Sequence, residues 1–319
     1  MIIFFDCEVE TKSHKIVDFG AISENNARVH SSKHSIIKKT MLEADFYCGH
    51  NVVNHDVPHL KSIGVNIDQS KVIDTLFWSV LLYPQRPYHK LVKDDKLYPE
   101  QDNNPLVDAQ KAKDLFNEEL VSFSLLNMKE KQLLYGLLKG KNGFSAFFDL
   151  AGFKSEFSNL SDLIHDMFGG MLCSHSSLEK LISENPVELA YTLRLINTTP
   201  DSLFPSWLLY QFPEVEDVMI LLRGTPCNEG CLYCDDALNA VGGLKRFFGY
   251  DRFRSFEGKP LQELSVKAAL ENRSLIAVFP TGGGKSITYQ IPALMSGVNT
   301  RSLTVVISPL QSLMKDQVD

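Results

Sequence analysis

AVFPTGGGKS, residues 277–286, lies between two short apolar runs, SLIAV before it and SLTVVISP after it. A strand that empties into a glycine loop ending in Lys-Ser is the sequence form of a phosphate cradle. The glycines of such a loop, here Gly282, Gly283 and Gly284 after Thr281, leave backbone N–H groups to surround a phosphate, and the following helix adds its positive end. Lys285 then reaches the β and γ phosphates and Ser286 holds Mg²⁺. The strict pattern has Gly where this chain has Phe279. The flanking apolar runs predict parallel strands, which argues against a Gly-rich turn in a linker and for an α/β unit.

The surroundings of the loop narrow the reading. FPTGGGKSITYQIPALMSG (279–297), followed by VVISPLQSLMKDQVD (305–319), resembles motifs I and Ia of RecQ-type superfamily 2 DNA helicases. RFFGYDRFRSFEGKPLQELSVKAAL (246–270) resembles that family's motif 0, in which an FR pair, here Phe253 and Arg254, precedes a Gln, here Gln262, that reads the adenine edge. The resemblance covers the last quarter of the chain and implies the start of a RecA-like P-loop lobe binding ATP and Mg²⁺, with DNA as partner. Asp319 falls just past motif Ia, so the resemblance also implies a longer parent that unwinds DNA. These residues by themselves are expected to be deficient in ATP turnover, because the parts that position water and neutralise the transferred phosphate follow later in the family. Two parallel strands without further neighbours are expected to leave an exposed apolar edge.

Composition sets the class. The chain is 44% hydrophobic and 22% charged, with a net charge of −7, so a core is available and contact with nucleic acid has to come from local patches. Phe247 to Arg273, with Arg252, Arg254, Lys259, Lys267 and Arg273, is one such patch, for which a solvated helix face is an equal explanation. No run of about 18 apolar residues exists to cross a membrane. The start, MIIFFDCE, has no basic region of a secretory signal, and three of the six cysteines are bunched rather than spread in a disulfide framework, which predicts a reducing, cytoplasmic compartment.

The N-terminal apolar run delivers Asp6 and Glu8 at its end, and strand alternation points both carboxylates to one face. KIVDFGAIS (15–23) reads as a second strand pairing with the first. In GHNVVNHDVPHL (49–60) Asp56 opens a helix, and NNPLVDAQKAKDLF (103–116) places Asp108 on another. Spacing alone carries no function here, since acidic residues are mostly exposed. Their context, D-x-E ending a strand, then G-H-N-x-x-x-x-D, then a helical Asp, resembles the DnaQ-like, or DEDD, 3′–5′ exonucleases. That resemblance covers residues 1–120 and implies a ribonuclease-H-like fold. It also implies that Asp6, Glu8, Asp56 and Asp108 hold two Mg²⁺ or Mn²⁺ ions at a DNA 3′ end or single strand, the ions activating water and stabilising the leaving oxygen. The family's base, a His or a Tyr shortly before the last Asp, is replaced by Asn103 and Asn104, and asparagine takes no proton from water. His89, in RPYHKLVKDD, is the nearest candidate for a displaced base. The other reading is an inactive fold that brings a helicase to DNA ends.

Residues 121–224 read as a helical connector. SFSLLNMKEKQLLYGLL (122–138) has apolar residues at helical spacing, SSLEKLI (176–182) opens with a capping box from Ser176 to Glu179, and NPVELAYTLRLI (185–196) has Asn185 as N-cap and Pro186 at the first helical position. After it, TPCNEGCLYCDD carries Cys227, Cys231 and Cys234 as C-x3-C-x2-C in residues 225–236. Three thiols so close can converge on zinc, with Cys173, His175 or Asp235 as fourth ligand, and so pin the helical region to the ATPase edge. The spacing also resembles the radical S-adenosylmethionine motif, whose three cysteines hold an iron–sulfur cluster, although those enzymes build a β/α barrel after it. The expected organisation is therefore an exonuclease-like domain at 1–120, a helical connector at 121–224, the cysteine cluster at 225–236 and an incomplete helicase lobe at 237–319. The two resemblances together imply processing of DNA ends in repair or recombination.

Overall fold

In a computed structural model, residues 1–91, 104–156, 159–199, 202–280 and 282–307 are described. The chain divides into two compact units. The first comprises Met1–Met167, Glu179–Thr198 and Pro205–Val215, and the second Phe168–Leu178, Thr199–Phe204 and Glu216–Asp319. The helical stretch between the sheet and the glycine loop is thus shared between the two.

The first unit begins with strands β1 (Ile2–Val9), β2 (Ile16–Ser23) and β3 (Arg28–His30), then α1 (His34–Leu42), β4 (Phe46–Gly49), α2 (Asp56–Ser62), β5 (Val72–Asp74), α3 (Thr75–Leu82) and α4 (Pro105–Leu125). The sheet order is β3-β2-β1-β4-β5, with β1, β2 and β3 antiparallel and β4 and β5 parallel to β1. Alternation sorts the central strand. Ile3, Phe5 and Cys7 enter a core with Ile37, Met41, Val57 and Leu60 of α1 and α2. Phe4 turns to the other face, where its ring meets Phe116 of α4 at 5.6 Å. Asp6 and Glu8, in phase with Phe4, share that α4 face.

The α4 helix ends where Leu126 turns extended, and Asn127 starts α5 (Met128–Leu138) with a capping box to Glu130. The apolar periodicity across 122–138 therefore belongs to two helices, because the reciprocal Asn127–Glu130 cap satisfies the backbone of a new start. Then come α6 (Ser145–Leu150), α7 (Leu160–Phe168), α8 (Leu178–Glu184), α9 (Pro186–Ile196) and α10 (Ser206–Gln211). Asn185 and Pro186 stand at the expected N-cap and first-turn positions of α9. The carboxylate of Glu179 accepts from the Ser161 hydroxyl at 2.9 Å. Arg194 of α9 is buried, donating to the Leu81 carbonyl at 2.7 Å and to Glu130 at 2.6 Å. Beneath these helices Trp78 is fully buried, stacked on Phe147 at 3.8 Å and edge-on to Phe123, Phe144 and Phe148.

The second unit holds α11 (Glu214–Arg223) from Glu216 onward, α12 (Leu232–Ala237), α13 (Ala240–Phe248), α14 (Leu261–Leu270) and α15 (Lys285–Thr300). Leu244, Phe253, Val266, Leu270, Ile291 and Met295 form its core. The strands expected on either side of the glycine loop do not form among the described residues: 274–280 and 302–307 carry no strand. Ile276, Val278, Leu303 and Ile307 stay exposed. A parallel strand needs neighbours for its backbone and both its faces, and the described residues offer none here. No described helix is long and apolar enough to cross a membrane.

Trp78 is fully buried among four aromatic rings of the first unit. Trp78→Ala is expected to cost about 3–5 kcal/mol by loss of transfer and creation of a cavity, read as a lowered urea midpoint. A change below about 1 kcal/mol would contradict the assignment of this cluster as core.

Candidate functional site

Three carboxylates from two elements meet at the carboxyl end of β1. One ligand oxygen each of Asp6, Glu8 and Asp108 lies within 4.8 Å of the others. Asp108 arrives on the first turn of α4, which starts because Asn104 accepts from the Leu106 N–H at 3.1 Å and Pro105 takes the first helical position. Gly20 of β2, opposite Asp6 in the ladder, is what lets that turn descend. A β-carbon there would stand 2.2 Å from Leu106 N and 2.3 Å from the Pro105 carbonyl carbon.

Asp56 opens α2 as expected and is buried, but its carboxylate stands outside the group of three. One oxygen accepts from the Cys7 N–H at 2.7 Å and the other lies 3.4 Å from His55 Nδ1. The Cys7 thiol is pushed well up by burial and then by the Asp56 and Asp6 carboxylates around it. All four acids line one cleft of about 830 Å³ with His50, Tyr88, Lys90, Trp207 and Tyr210. Hard carboxylate oxygens at this spacing fit Mg²⁺ or Mn²⁺, and the clustered negative charge favours a cation.

The GHN stretch is organised by buried Asp74, which accepts from the N–H groups of Asn51 at 2.8 Å, Val53 at 3.0 Å and Leu76 at 3.1 Å. Burial raises its carboxyl to about 7, against the pull of those three bonds. His50 sits in this loop. Thr75 Oγ1 donates to the Gly49 carbonyl at 3.1 Å and so accepts from His50 Nδ1 at 2.9 Å. Burial, then the neighbouring His89, lowers His50 to about 3.

His89 is buried on its own account, bonded through Nδ1 to Ser79 at 2.9 Å and lowered to about 4, first by burial. It is not among the residues lining the carboxylate cleft, although Tyr88 and Lys90 on either side are. Asn103 lies outside the described residues, and Asn104 is the cap of α4. Sequence reasoning passed over His50 and Gly20, both inside stretches it quoted. Trp207 and Tyr210 on α10 had no signal that could place them here.

At the glycine loop, Gly282 and Gly284 take φ of +75° and +67°, and Gly284 caps α15. These left-handed positions suit glycine. Lys285, at the first position of α15, is exposed, and Ser286 follows it half-buried. Lys285 also lines a cleft of about 570 Å³ with Thr288 and Tyr289. Thr281 lies outside the described residues. Gln262 is buried: its Oε1 accepts from the Arg254 N–H at 2.8 Å, and its Nε2 donates to the carbonyls of Gly283 at 2.9 Å and Gly284 at 3.2 Å. Arg254 Nη1 donates to the Gly282 carbonyl at 3.3 Å. The Gln262 amide thus ties the loop, through its Nε2, to the Arg254 backbone, through its Oε1, while Phe253 serves the core. Backbone N–H groups at a helix start beside a lysine and a serine fit a nucleotide phosphate with Mg²⁺.

Of the three fourth-ligand candidates for the cysteines, the fold brings Cys173 to Cys227, Cys231 and Cys234, with all four sulfurs within 4.8 Å of one another. His175 is paired instead with Glu229 at 3.0 Å.

Residues 259–319, which hold the glycine loop and the helix before it, match the DEAD/DEAH box helicase family model. About a quarter of the chain is similar to RecQ helicases. Over 76 residues, 24% of this chain, it is 53% identical to ATP-dependent DNA helicase RecQ of Bacillus subtilis (strain 168), and over 80 residues, 25% of the chain, 50% identical to that of Haemophilus influenzae. It is also 40% identical over 77 residues to ATP-dependent DNA helicase Q5 of Rattus norvegicus. The chain spans only 12%, 12% and 7% of the lengths of these relatives. No solved structure matches the chain.

Two outcomes are expected from this geometry. Gly20→Ala should drive the start of α4 off β2 and part Asp108 from Asp6 and Glu8, so that Mn²⁺ affinity by calorimetric titration drops by about tenfold or more; unchanged affinity would show that the close approach is not what assembles the acids. The second concerns acid. The folded pKa of His50 is depressed, so its stabilising contribution is complete above the unfolded value near 6.5 and is lost as pH falls toward 3, by at most about 1.4 kcal/mol per pH unit. His89 acts in the same direction. His50→Gln should therefore flatten the fall in urea midpoint between pH 7 and pH 5; an equally steep fall would contradict a neutral buried His50.

Proposed function

We propose that this chain is the N-terminal part of a RecQ-type ATP-dependent DNA helicase that carries, ahead of its ATP loop, a metal-dependent 3′–5′ exonuclease-like unit acting on DNA ends. The convergence of Asp6, Glu8 and Asp108 from distant parts of the chain, in one cleft with Asp56, is the observation that carries the nuclease half. The mixed five-stranded sheet, with Asp6 and Glu8 near the end of its central strand, supports a ribonuclease-H-like reading. Bound Mg²⁺ or Mn²⁺ would supply a nucleophilic water and charge stabilisation for the leaving 3′ oxygen. Asp6, Glu8 and Asp108 would hold the cations, with Asp56, oriented by the Cys7 N–H, in the same cleft. Lys90 meets the phosphate backbone, and the faces of Trp207 and Tyr210 receive bases of a single strand.

In the helicase half, Lys285 and Ser286 bind the phosphates and Mg²⁺ of ATP, and Gln262 and Arg254 keep the loop in shape. The homology of the last quarter of the chain to RecQ helicases supports this reading. The whole protein would process DNA ends in repair or recombination. One observation favours a second reading, a nuclease fold that binds ends without cutting: the His89 ring is bonded to Ser79, outside the cleft.

The test is degradation of 5′-labelled single-stranded and 3′-overhang DNA with Mn²⁺. The expected result is a shortening ladder that falls at least about 100-fold in Asp6→Ala, the scale of losing an electrostatic catalytic element, and persists in Lys285→Ala, which loses binding of a fluorescent ATP analogue. DNA binding without a ladder would overturn the nuclease and leave the targeting module.

A further inference from the structure

The cysteine cluster stands apart from both proposed activities. Cys173 follows α7 in sequence, while Cys227, Cys231 and Cys234 surround the start of α12, yet the Cys173 and Cys231 sulfurs are 4.0 Å apart and none of the six cysteines is in a disulfide. Single-metal thiolate sites have metal–sulfur bonds of about 2.3 Å, which for a tetrahedron places sulfurs roughly 3.8 Å apart. The observed separations, up to 4.8 Å, are close to that spacing before any ligand tightens it. A four-iron cube would instead hold its cysteine sulfurs on a much larger tetrahedron. The C-x3-C-x2-C spacing had left open a three-thiol cluster with one exposed iron, but the arrival of Cys173 completes the set with a fourth soft donor.

The setting is a built one. Cys173 and Cys234 are buried in a small core with Tyr233 and Leu238, against which Cys227 and Cys231 pack. Cys231 Sγ accepts from the Cys234 N–H at 3.5 Å, and the Cys173 N–H is held by the Leu222 carbonyl at 2.9 Å. Tyr233 donates its hydroxyl to the Arg223 carbonyl at 2.9 Å. The same neighbourhood reaches the helices of the ATP loop, since Asn299 of α15 donates to the Ala237 carbonyl at 2.8 Å and Asn272, just past α14, donates to Thr225 Oγ1 at 3.2 Å.

We propose that Cys173, Cys227, Cys231 and Cys234 bind one zinc ion as a four-thiolate site that clasps the 168–178 segment to the base of the helices flanking the ATP loop. Binding replaces four S–H bonds by four Zn–S bonds and releases the four protons to solvent, with no change of oxidation state. The ion contributes folding free energy to segments whose own core is small.

Metal analysis of the purified full chain should find about one zinc per chain, and zinc-edge X-ray absorption should count four sulfurs near 2.3 Å. Cys173→Ser should lower zinc affinity at least about tenfold, since even outer partners of a metal cost that much. In the cobalt-substituted protein the same change should shift the d–d bands to shorter wavelength. If that variant does not fold, the sulfur count on the unaltered protein decides. Removing zinc with a chelator should strip hydrogen-exchange protection from 168–178 and 225–237 together. No bound zinc, three sulfurs with one lighter atom, loss of protection confined to 225–237, or a brown protein absorbing near 400 nm would each overturn the proposal.

Discussion

Gly20 has no β-carbon, and the first turn of α4 occupies the space that one would fill. Much of the first unit follows from this approach of backbone to backbone. With the helix start pressed on β2, Phe116 can reach Phe4, and Lys113 can donate at 2.9 Å to each of the Ser23 carbonyl, the Glu24 carbonyl and Asn26 Oδ1. The same descent delivers Asp108 to the end of β1. A single methyl group at position 20 would set core packing and acid clustering against each other.

The cost of gathering acids is distributed over backbone donors. Asp56 is held by the Cys7 N–H, and Asp74 by three N–H groups of the loop that carries His50. Asp74, buried and raised toward neutrality, works as a structural cap rather than as part of the cleft. Glu119 is buried further in, its carboxyl pushed well up by burial and by Asp74, so the neutral acid is the form that the interior accepts. Asp6 and Glu8, by contrast, are only half-buried, near the end of β1 where the strand borders the cleft.

The second unit is organised differently. Its glycine loop is shaped from behind by the Gln262 amide and the Arg254 side chain, not by flanking strands. Helix propensity and a compact apolar cluster suffice for α13, α14 and α15, whereas the apolar runs at 274–280 and 302–307 have the composition of strands and find no strand partner among the described residues. A helix closes its hydrogen bonds within itself, but a parallel strand closes none alone.

How much could be read beforehand follows the same division. Alternation in IIFFDCEV put Asp6 and Glu8 on one face, Asn185-Pro186 marked a helix start, and TGGGKS marked a phosphate loop, because these signals act over a few neighbouring residues. The break at Asn127 was legible in its Asn-x-x-Glu pattern but was masked by continuous apolar spacing. No local rule could bring Asp108 to Asp6, choose Cys173 over His175, turn His89 toward Ser79 while His50 faces the cleft, or set Trp207 and Tyr210 beside the acids. By itself the sequence determined which faces are apolar, where helices begin and which residues have the chemistry to bind metal or phosphate. Tertiary structure alone decided which of them meet, because that depends on how closely distant backbones can approach, and at Gly20 the approach turns on one missing carbon.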